Sequence, residues 1–556
     1  MQAKPILEEF AKKSKGLTTQ KELRALQREL VRKYKPERMF SLSEMGLYVK
    51  AMITSKPART LSGVAPVAIM TEPRACPHGK CTFCPGGPGS YFGDVPQSYT
   101  GNEPASMRTK RNNHDAYLQT FNRLQQYAIL GHTPDKIELI IMGGTFPAYD
   151  TPYQDKFVKE ALQGINDFGA IFYPDGILEK NKFIDFFELP HDKDNPELKY
   201  RLQRKINNQK KESTLENTQS ENETAKLRCV ALCIETKPDW CRKNHINQML
   251  KLGATRVELG VQTLYEQVLK KTNRGHTLKD TIKATQLLKD SLLKVCYHMM
   301  PGLIDTTEEM DMYNLTEIFK SESYRPDALK IYPTMVMPGT PLLEQYKKGE
   351  FIPLRTEKAA DLLVKAKENI PPYCRVMRVQ RDIPTKVTVD GVDITNFRQY
   401  VHALMKKQKK LCRCIRCREP RQKEVHEKDL TTRKMIYNAS QGTEVFISKE
   451  DKKNDFIVGF CRLRIPFEPF REEITPKTAG IRQLHVYGQA VRIGVSKKEA
   501  IQHKGIGTEL VDEAEKIARE GFDCRKMAVI AGVGAREYYK KKWKYKKEGP
   551  YMVKGL

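Results

Sequence analysis

Between about residues 60 and 335, short apolar runs alternate with longer stretches in which apolar residues recur every three or four positions. "IELIIM" (137–142), "CVALCIE" (229–235), "TRVELGV" (255–261), "KVCYHM" (294–299) and "ALKIYP" (328–333) read as buried strands. "AYLQTFNRLQQYAIL", "KNHINQMLKLG" and "TLKDTIKATQLLKD" read as helices between them. Such alternation predicts an α/β fold in which a parallel sheet closes or half-closes into a (β/α) barrel. Functional groups of such barrels gather at the C-terminal ends of the strands. Before the barrel, Leu23, Leu26, Leu30 and Val31 stand at helical spacing among basic residues, predicting a small helical module. Within the barrel, residues 207–226 have one large apolar side chain, Leu215, and are expected to form a mobile or peripheral insertion with no share in a core. After about residue 375 the rhythm stops. A basic, Cys-rich connector (402–425) leads into a second α/β unit from about 435. The expected division is 1–60, 61–375, 376–434 and 435–556.

Length and charge sharpen this picture. A chain of 556 residues exceeds one ordinary domain. No run approaches the roughly 18 apolar residues of a membrane span, and the N-terminus lacks the apolar segment of a signal peptide, so a cytoplasmic protein without membrane contact is expected. In that compartment the 13 cysteines are expected to be reduced, and clustered ones are better read as metal ligands than as disulfides. A net charge of +28 favours a polyanionic partner, nucleic acid first. The basic residues are patchy: 1–40, 406–423 and "KKKWKYKK" (540–547), where Trp543 and Tyr545 offer rings for base stacking.

"ACPHGKCTFCPGGPG" (75–89) places Cys76, Cys81 and Cys84 in one short loop after the apolar run "VAIM". Structural zinc normally takes four ligands in two separated pairs. Three thiols on a 4Fe-4S cube leave one iron free to chelate S-adenosylmethionine, whose reductive cleavage yields a 5′-deoxyadenosyl radical. The C-x4-C-x2-C spacing is one residue longer than the usual radical-SAM pattern, so zinc and cluster both remain open on spacing alone. "MGGTF" (142–146), with Gly143 and Gly144 at a strand end, resembles the radical-SAM turn that binds the methionine amino group. A second cluster, Cys412, Cys414 and Cys417, suits a structural zinc between domains, with Cys374 as a candidate fourth ligand. Surface thiols in a basic loop are the alternative.

In the last third, "QHKGIGTELVDEAEKIARE" (502–520) sets glycines before an amphipathic helix, the arrangement by which backbone N–H groups hold a pyrophosphate. Its Q-x-x-G-x-G form resembles the acyl-CoA loop of GNAT acetyltransferases. "RQLHVYG" (482–488) falls where that fold has its splayed strand, and "AVIAGVGAREYYKKKWKY" (528–545) where it has the following strand and tyrosine-bearing helix. No carboxylate stands out as a base for acetylating an amine.

A radical-SAM barrel followed by a GNAT domain resembles the catalytic subunit of Elongator, the tRNA uridine carboxymethyl synthase family, and most of all its archaeal members. "KPARTLSGVAPVAIMTEP", "CPGGPGS", "QSYTGNEPASMR", "RVELGVQT", "HMMPGL" and "GPYMVK" carry the likeness over nearly the whole chain. Relative to eukaryotic members, the first cysteine gap is shorter and the 177–227 region looks expanded. The resemblance implies that Cys76, Cys81 and Cys84 ligate a 4Fe-4S cluster. It implies that Lys136, Gln483, Leu484, His485, Val486, Ile506, Gly507, Thr508 and Tyr539 contact acetyl-CoA, with Lys136 and Tyr539 nearest the chemistry. It implies, finally, that a radical formed from S-adenosylmethionine takes hydrogen from the acetyl methyl group, and that the new carbon radical adds to carbon 5 of the wobble uridine in a tRNA anticodon stem-loop. Oxidation and thioester hydrolysis leave a carboxymethyl group; an electron donor is required, and nothing in the sequence demands further subunits. The other activity the sequence allows is a protein lysine acetyltransferase with a structural barrel.

Overall fold

The computed structural model describes residues 3–17, 19–36, 39–49, 54–55, 60, 63–190, 195–421, 423, 425–487 and 505–556. Most of "KPARTLSG" and the "QHK" of the acyl-CoA loop lie outside these residues.

Seven parallel strands form one sheet: β1 (Ala65–Met70), β2 (Lys136–Met142), β3 (Arg228–Thr236), β4 (Arg256–Gln262), β5 (Lys294–Met299), β6 (Ala328–Ile331) and β7 (Arg375–Arg378), paired in chain order. Among the described residues no pairing joins β1 to β7, so the barrel is partial. The alternation of side chains along a strand explains its two faces. Val257, Leu259 and Val261 of β4 join the outer hydrophobic core with Val295 and Tyr297 of β5. Their neighbours in sequence, Arg256, Glu258, Cys296 and His298, point the other way and make a polar lumen. Strand β7 lies beyond the run that periodicity suggested, and the helix Phe397–Lys407 packs behind it through Phe397, Val401 and Met405.

Residues 207–226 overturn the expectation of a peripheral insertion. Leu215–Thr224 is a helix capped by Thr214, whose side chain accepts from the Asn217 N–H. Thr218 and Asn222 are completely buried. Asn222 Oδ1 accepts from the Cys229 N–H at 2.8 Å, and its Nδ2 donates to Asn166 at 2.6 Å. Gln219 donates to the Lys251 carbonyl at 2.9 Å, and Glu223 pairs with Arg536 of the second domain at 2.9 Å. Polar side chains enter a core when their hydrogen bonds are met, and apolar periodicity cannot register that.

The N-terminal helices Ala3–Lys13, Gln20–Tyr34 and Leu42–Gly46 share a separate small core of Ile6, Phe10, Leu23, Leu26, Leu30 and Met45. Capping boxes at Thr19–Glu22 and Ser41–Glu44 start the last two.

The second domain holds β8 (Leu430–Ala439), β9 (Gly442–Asp451), β10 (Phe456–Ile465), β11 (Thr478–Val486), β12 (Lys526–Val529), β13 (Lys546–Glu548) and β14 (Tyr551–Gly555), in the order β8-β9-β10-β11-β12-β14-β13. Only β11 and β12 run parallel, and their pairing stops at Ile481↔Val529 while β11 continues to Val486. This domain caps the N-terminal end of the barrel. Tyr551 donates to the Ser291 carbonyl at 3.1 Å, and a Cβ on Gly532 or Gly534 would strike the backbone at Val230 or Cys229. At the centre of the joint, Asp290, Asp327 and Glu444 meet Lys289, Arg462, Arg464 and Arg482, all nearly inaccessible to solvent. Burial opposes the charge of Asp327, yet Arg482, Lys289 and Arg462 hold its carboxyl far below the usual range.

Candidate functional site

The C-terminal ends of the barrel strands surround a cavity lined by Cys76, Cys81 and Cys84. Each thiol has its own polar neighbour. Cys76 Sγ lies 3.9 Å from Thr145 Oγ1. Cys81 Sγ lies 3.2 Å from His78 Nε2 and accepts from Arg274 at 3.3 Å. Cys84 Sγ accepts from Gln97 Nε2 at 3.0 Å and faces Ser98 Oγ at 3.7 Å. Burial pushes the Cys76 thiol up to about 11 and the His78 imidazole down to about 4, where Lys237 and Arg274 also disfavour a cation.

Two observations fit a cluster with a bound small molecule better than one metal ion. Among the described residues, the thiol groups that converge within 4.8 Å do not include this trio, whereas thiolates around one tetrahedral zinc sit about 3.8 Å apart. The walls also hold unpartnered buried polar atoms: His78 Nδ1, Gln262 Oε1 and Arg274 Nε. Gly143 and Gly144, at φ of +119° and +110°, make the turn after β2. A Cβ on Gly143 would lie 2.4 Å from Thr71 Oγ1, and one on Gly144 2.9 Å from Gln97 Cβ, so both positions require glycine. Their backbone thereby comes close to the cysteine loop.

Beneath the cavity an ion-pair ladder fills the lumen. Glu138 of β2 meets Arg256 of β4, whose guanidinium reaches Glu258 at 3.1 Å. Glu258 is paired with His298 at 2.7 Å and contacts Lys330. Lys330 lies 3.2 Å from Glu235, which accepts from the Tyr99 hydroxyl at 3.1 Å. Burial works against both charges of the central pair, but Lys330, His298 and Arg256 hold Glu258 well below its ordinary range. Glu258, Tyr332 and Glu235 hold Lys330 well above its own. Sequence reasoning did not single out these residues; charged residues alternating with apolar ones in "RVELG" and "ALKIY" were the available signal.

At the opposite end of the barrel, Gln483, Leu484, His485 and Val486 occupy the part of β11 beyond its pairing with β12. The helix Ile506–Lys516 begins beside them after Gly505 at φ +80°, and a Cβ on Gly507 would touch both Leu484 and Val486. The strand and the loop, with Thr508 in its first turn, therefore form one cleft. His485 Nε2 is buried without a partner. Burial lowers that imidazole to about 4, and Arg375, Lys294 and Lys136 of the barrel add to the effect, so Lys136 and the cleft share one neighbourhood across the domain boundary. Tyr539 lies in the domain core with Trp543 and Tyr545, near Cys461. The neighbouring Tyr538 is exposed, and its hydroxyl would stand 3.3 Å from a Cβ on Gly507.

Trp543 and Tyr545 correct the sequence reading. They are only 7% and 1% exposed, and donate to Asp512 at 3.0 Å and to Glu515 at 2.8 Å, so neither ring is open to a base. The lysines on either side of them remain at the surface. In the connector, the thiols of Cys412, Cys414 and Cys417 converge within 4.8 Å. Cys374 stands outside this group and offers it a backbone bond instead, from Ile415 N–H to its carbonyl at 2.9 Å. The side chains beside the trio are Lys367, 3.4 Å from Cys412, and His402, 3.8 Å from Cys417.

Residues 73–315 match the Radical SAM superfamily, 326–407 the Radical_SAM C-terminal domain, and 408–545 the Acetyltransferase (GNAT) family. The chain is thus a radical SAM protein with an acetyltransferase domain, and its cofactors are a 4Fe-4S cluster, S-adenosylmethionine and acetyl-CoA. It is 49% identical to the tRNA uridine(34) acetyltransferase of Methanocaldococcus jannaschii, over 91% of this chain and 87% of that one. With Elongator complex protein 3 of Homo sapiens it shares 40% identity over 91% and 86%. The solved structure of the archaeal Methanocaldococcus infernus Elp3, lacking its residues 1–46, matches at a TM-score of 0.72 and 43% identity, covering 89% of this chain and all of that one. The chain belongs to the Elongator complex protein 3 family.

Proposed function

We propose that this protein modifies the wobble uridine of tRNA, installing a carboxymethyl group on carbon 5 from acetyl-CoA with S-adenosylmethionine as radical source. The observation that carries this reading is the union in one chain of a barrel bearing a cysteine-lined cavity and an acetyltransferase domain packed against that barrel. When bound, the cluster and S-adenosylmethionine supply a radical able to take hydrogen from unactivated carbon. The chain's own residues do the rest: Cys76, Cys81 and Cys84 hold the cluster, and the Gly143–Gly144 turn opens its backbone to the methionine end. Ile506, Gly507 and Thr508 receive the pyrophosphate at a helix N-terminus, Gln483–Val486 line the pantetheine arm, and Lys136 and His485 flank the acyl end. A plain acetyltransferase needs no cysteine-lined barrel.

The test is anaerobic reconstitution with iron and sulfide, followed by incubation with tRNA, reductant and both cofactors and mass spectrometry of the nucleosides. Carboxymethyluridine that requires S-adenosylmethionine is the expected result. Zinc alone on the N-terminal thiols, or acetylated protein formed without S-adenosylmethionine, would overturn the reading.

The connector thiols support a second, structural assignment: zinc held by Cys412, Cys414 and Cys417, with His402 3.8 Å from Cys417 but outside the converging trio. Chelation should then lower the melting temperature without removing iron.

A further inference from the structure

One wall of the cysteine-lined cavity is not used by the cluster or the methionine turn. It is built by Glu235 and Lys330 at its floor, Tyr99 and Tyr332 above them, and Arg378 and Arg381 at the rim. The floor is rigid because the ladder below holds it: Lys330 is fixed between Glu258 and Glu235, and Tyr99 pins the other oxygen of Glu235. The Arg381 guanidinium lies 5.8 Å from the Tyr99 ring centroid and donates to the Ser98 carbonyl. Arg378 is bonded to Asp382 at 2.5 Å and is partly exposed.

We infer that this wall is the seat of the uracil ring and its flanking phosphates, an assignment that rests on the RNA-modifying function proposed above. A carboxylate beside an ammonium matches the uracil edge, where an N3–H donor lies between two carbonyl acceptors. Glu235 accepts from N3–H and Lys330 donates to a neighbouring carbonyl. Tyrosine rings suit the faces of an unstacked base, and rim arginines suit the phosphates on either side of a looped-out nucleotide. The methyl group of a thioester would gain nothing from an ion pair. The phosphates of coenzyme A would be repelled by Glu235. Glu235 and Lys330 are therefore positioning residues for the base.

The test is a binding cycle on the full, cluster-loaded chain, using fluorescent anticodon stem-loops that carry uridine or N3-methyluridine at the wobble position. In the wild type the methyl group should weaken binding at least about tenfold, the loss of one charge-assisted hydrogen bond of ~1.4 kcal/mol. In Glu235→Ala the penalty should shrink to less than about twofold, because the acceptor it blocks is gone. Lys330→Met provides an independent check. It should reduce the advantage of the uridine stem-loop over one with an abasic wobble position, while the affinity set by the phosphates persists. Unchanged penalties in both variants would overturn this assignment and leave the proposed function standing. Failure of every stem-loop to bind would overturn both.

Discussion

Two positions show how a single side chain carries much of the site. Gly144 needs a positive φ and sits against Gln97, which in turn donates to Cys84. Gly144→Ala would force Gln97 off the thiol, at a backbone cost of about 1–3 kcal/mol. The expected outcome is reduced iron content after reconstitution with the melting temperature lowered by a few degrees. Asp311 lies in the first turn of the helix Glu308–Lys320 and accepts from the Gly302 N–H at 2.6 Å. Burial pushes its carboxyl up to about 7. Between pH ~4 and ~7 the folded state therefore keeps a proton that the unfolded chain releases, so this group's contribution is complete below pH ~4 and disappears as pH rises towards 7. Asp311→Asn should flatten the fall of stability with pH across that window, by up to about 1.4 kcal/mol per unit, as measured by urea titration at several pH values.

At the level of elements, the joint between the strands of the two domains decides whether they act as one body. Asp327, at the start of β6, receives Arg482 of β11 and the Val295 N–H of β5. Asp327→Asn would remove the carboxylate paired with Arg462 and leave Arg482 with Glu444 alone, a buried charge imbalance that costs about 3–5 kcal/mol. Denaturant unfolding should show the loss as an earlier midpoint, and Asp327→Asn combined with Arg482→Met should recover part of it. The helix Leu215–Thr224 works through the same joint. It ties β3 to the second domain through Asn222 and Glu223, although its sequence resembles that of a solvated loop.

For the whole molecule, the proposed function predicts a tRNA-binding surface that follows the positive charge beyond the barrel. Lys21, Arg24, Arg28 and Arg32 are exposed along one N-terminal helix, while Lys540, Lys541 and Lys542 stand out from the second domain. Each phosphate contact contributes roughly 0.7–0.9 to the slope of log affinity against log salt. Replacing the four N-terminal residues by Gln should lower that slope by up to about 3 in a tRNA filter-binding titration. A slope that does not change would place the tRNA elsewhere.

The sequence by itself determined what depends on local spacing. Alternation of five apolar runs with amphipathic stretches announced the barrel, three crowded cysteines with a Gly-Gly turn announced one end of it, and Gly505 and Gly507 at a helix start announced the acetyltransferase domain. Hydrophobic period, turn chemistry and ligand spacing are properties of neighbours in the chain. Only the tertiary structure decided what depends on distant residues meeting. It turned Trp543 and Tyr545 inward, drew the polar 215–224 helix into a core, and kept Cys374 apart from the connector thiols. It also stacked Glu138, Arg256, Glu258, Lys330 and Glu235 from four strands into one ladder. A buried charge is stable only beside its partner, and no local pattern names a partner that lies a hundred residues away.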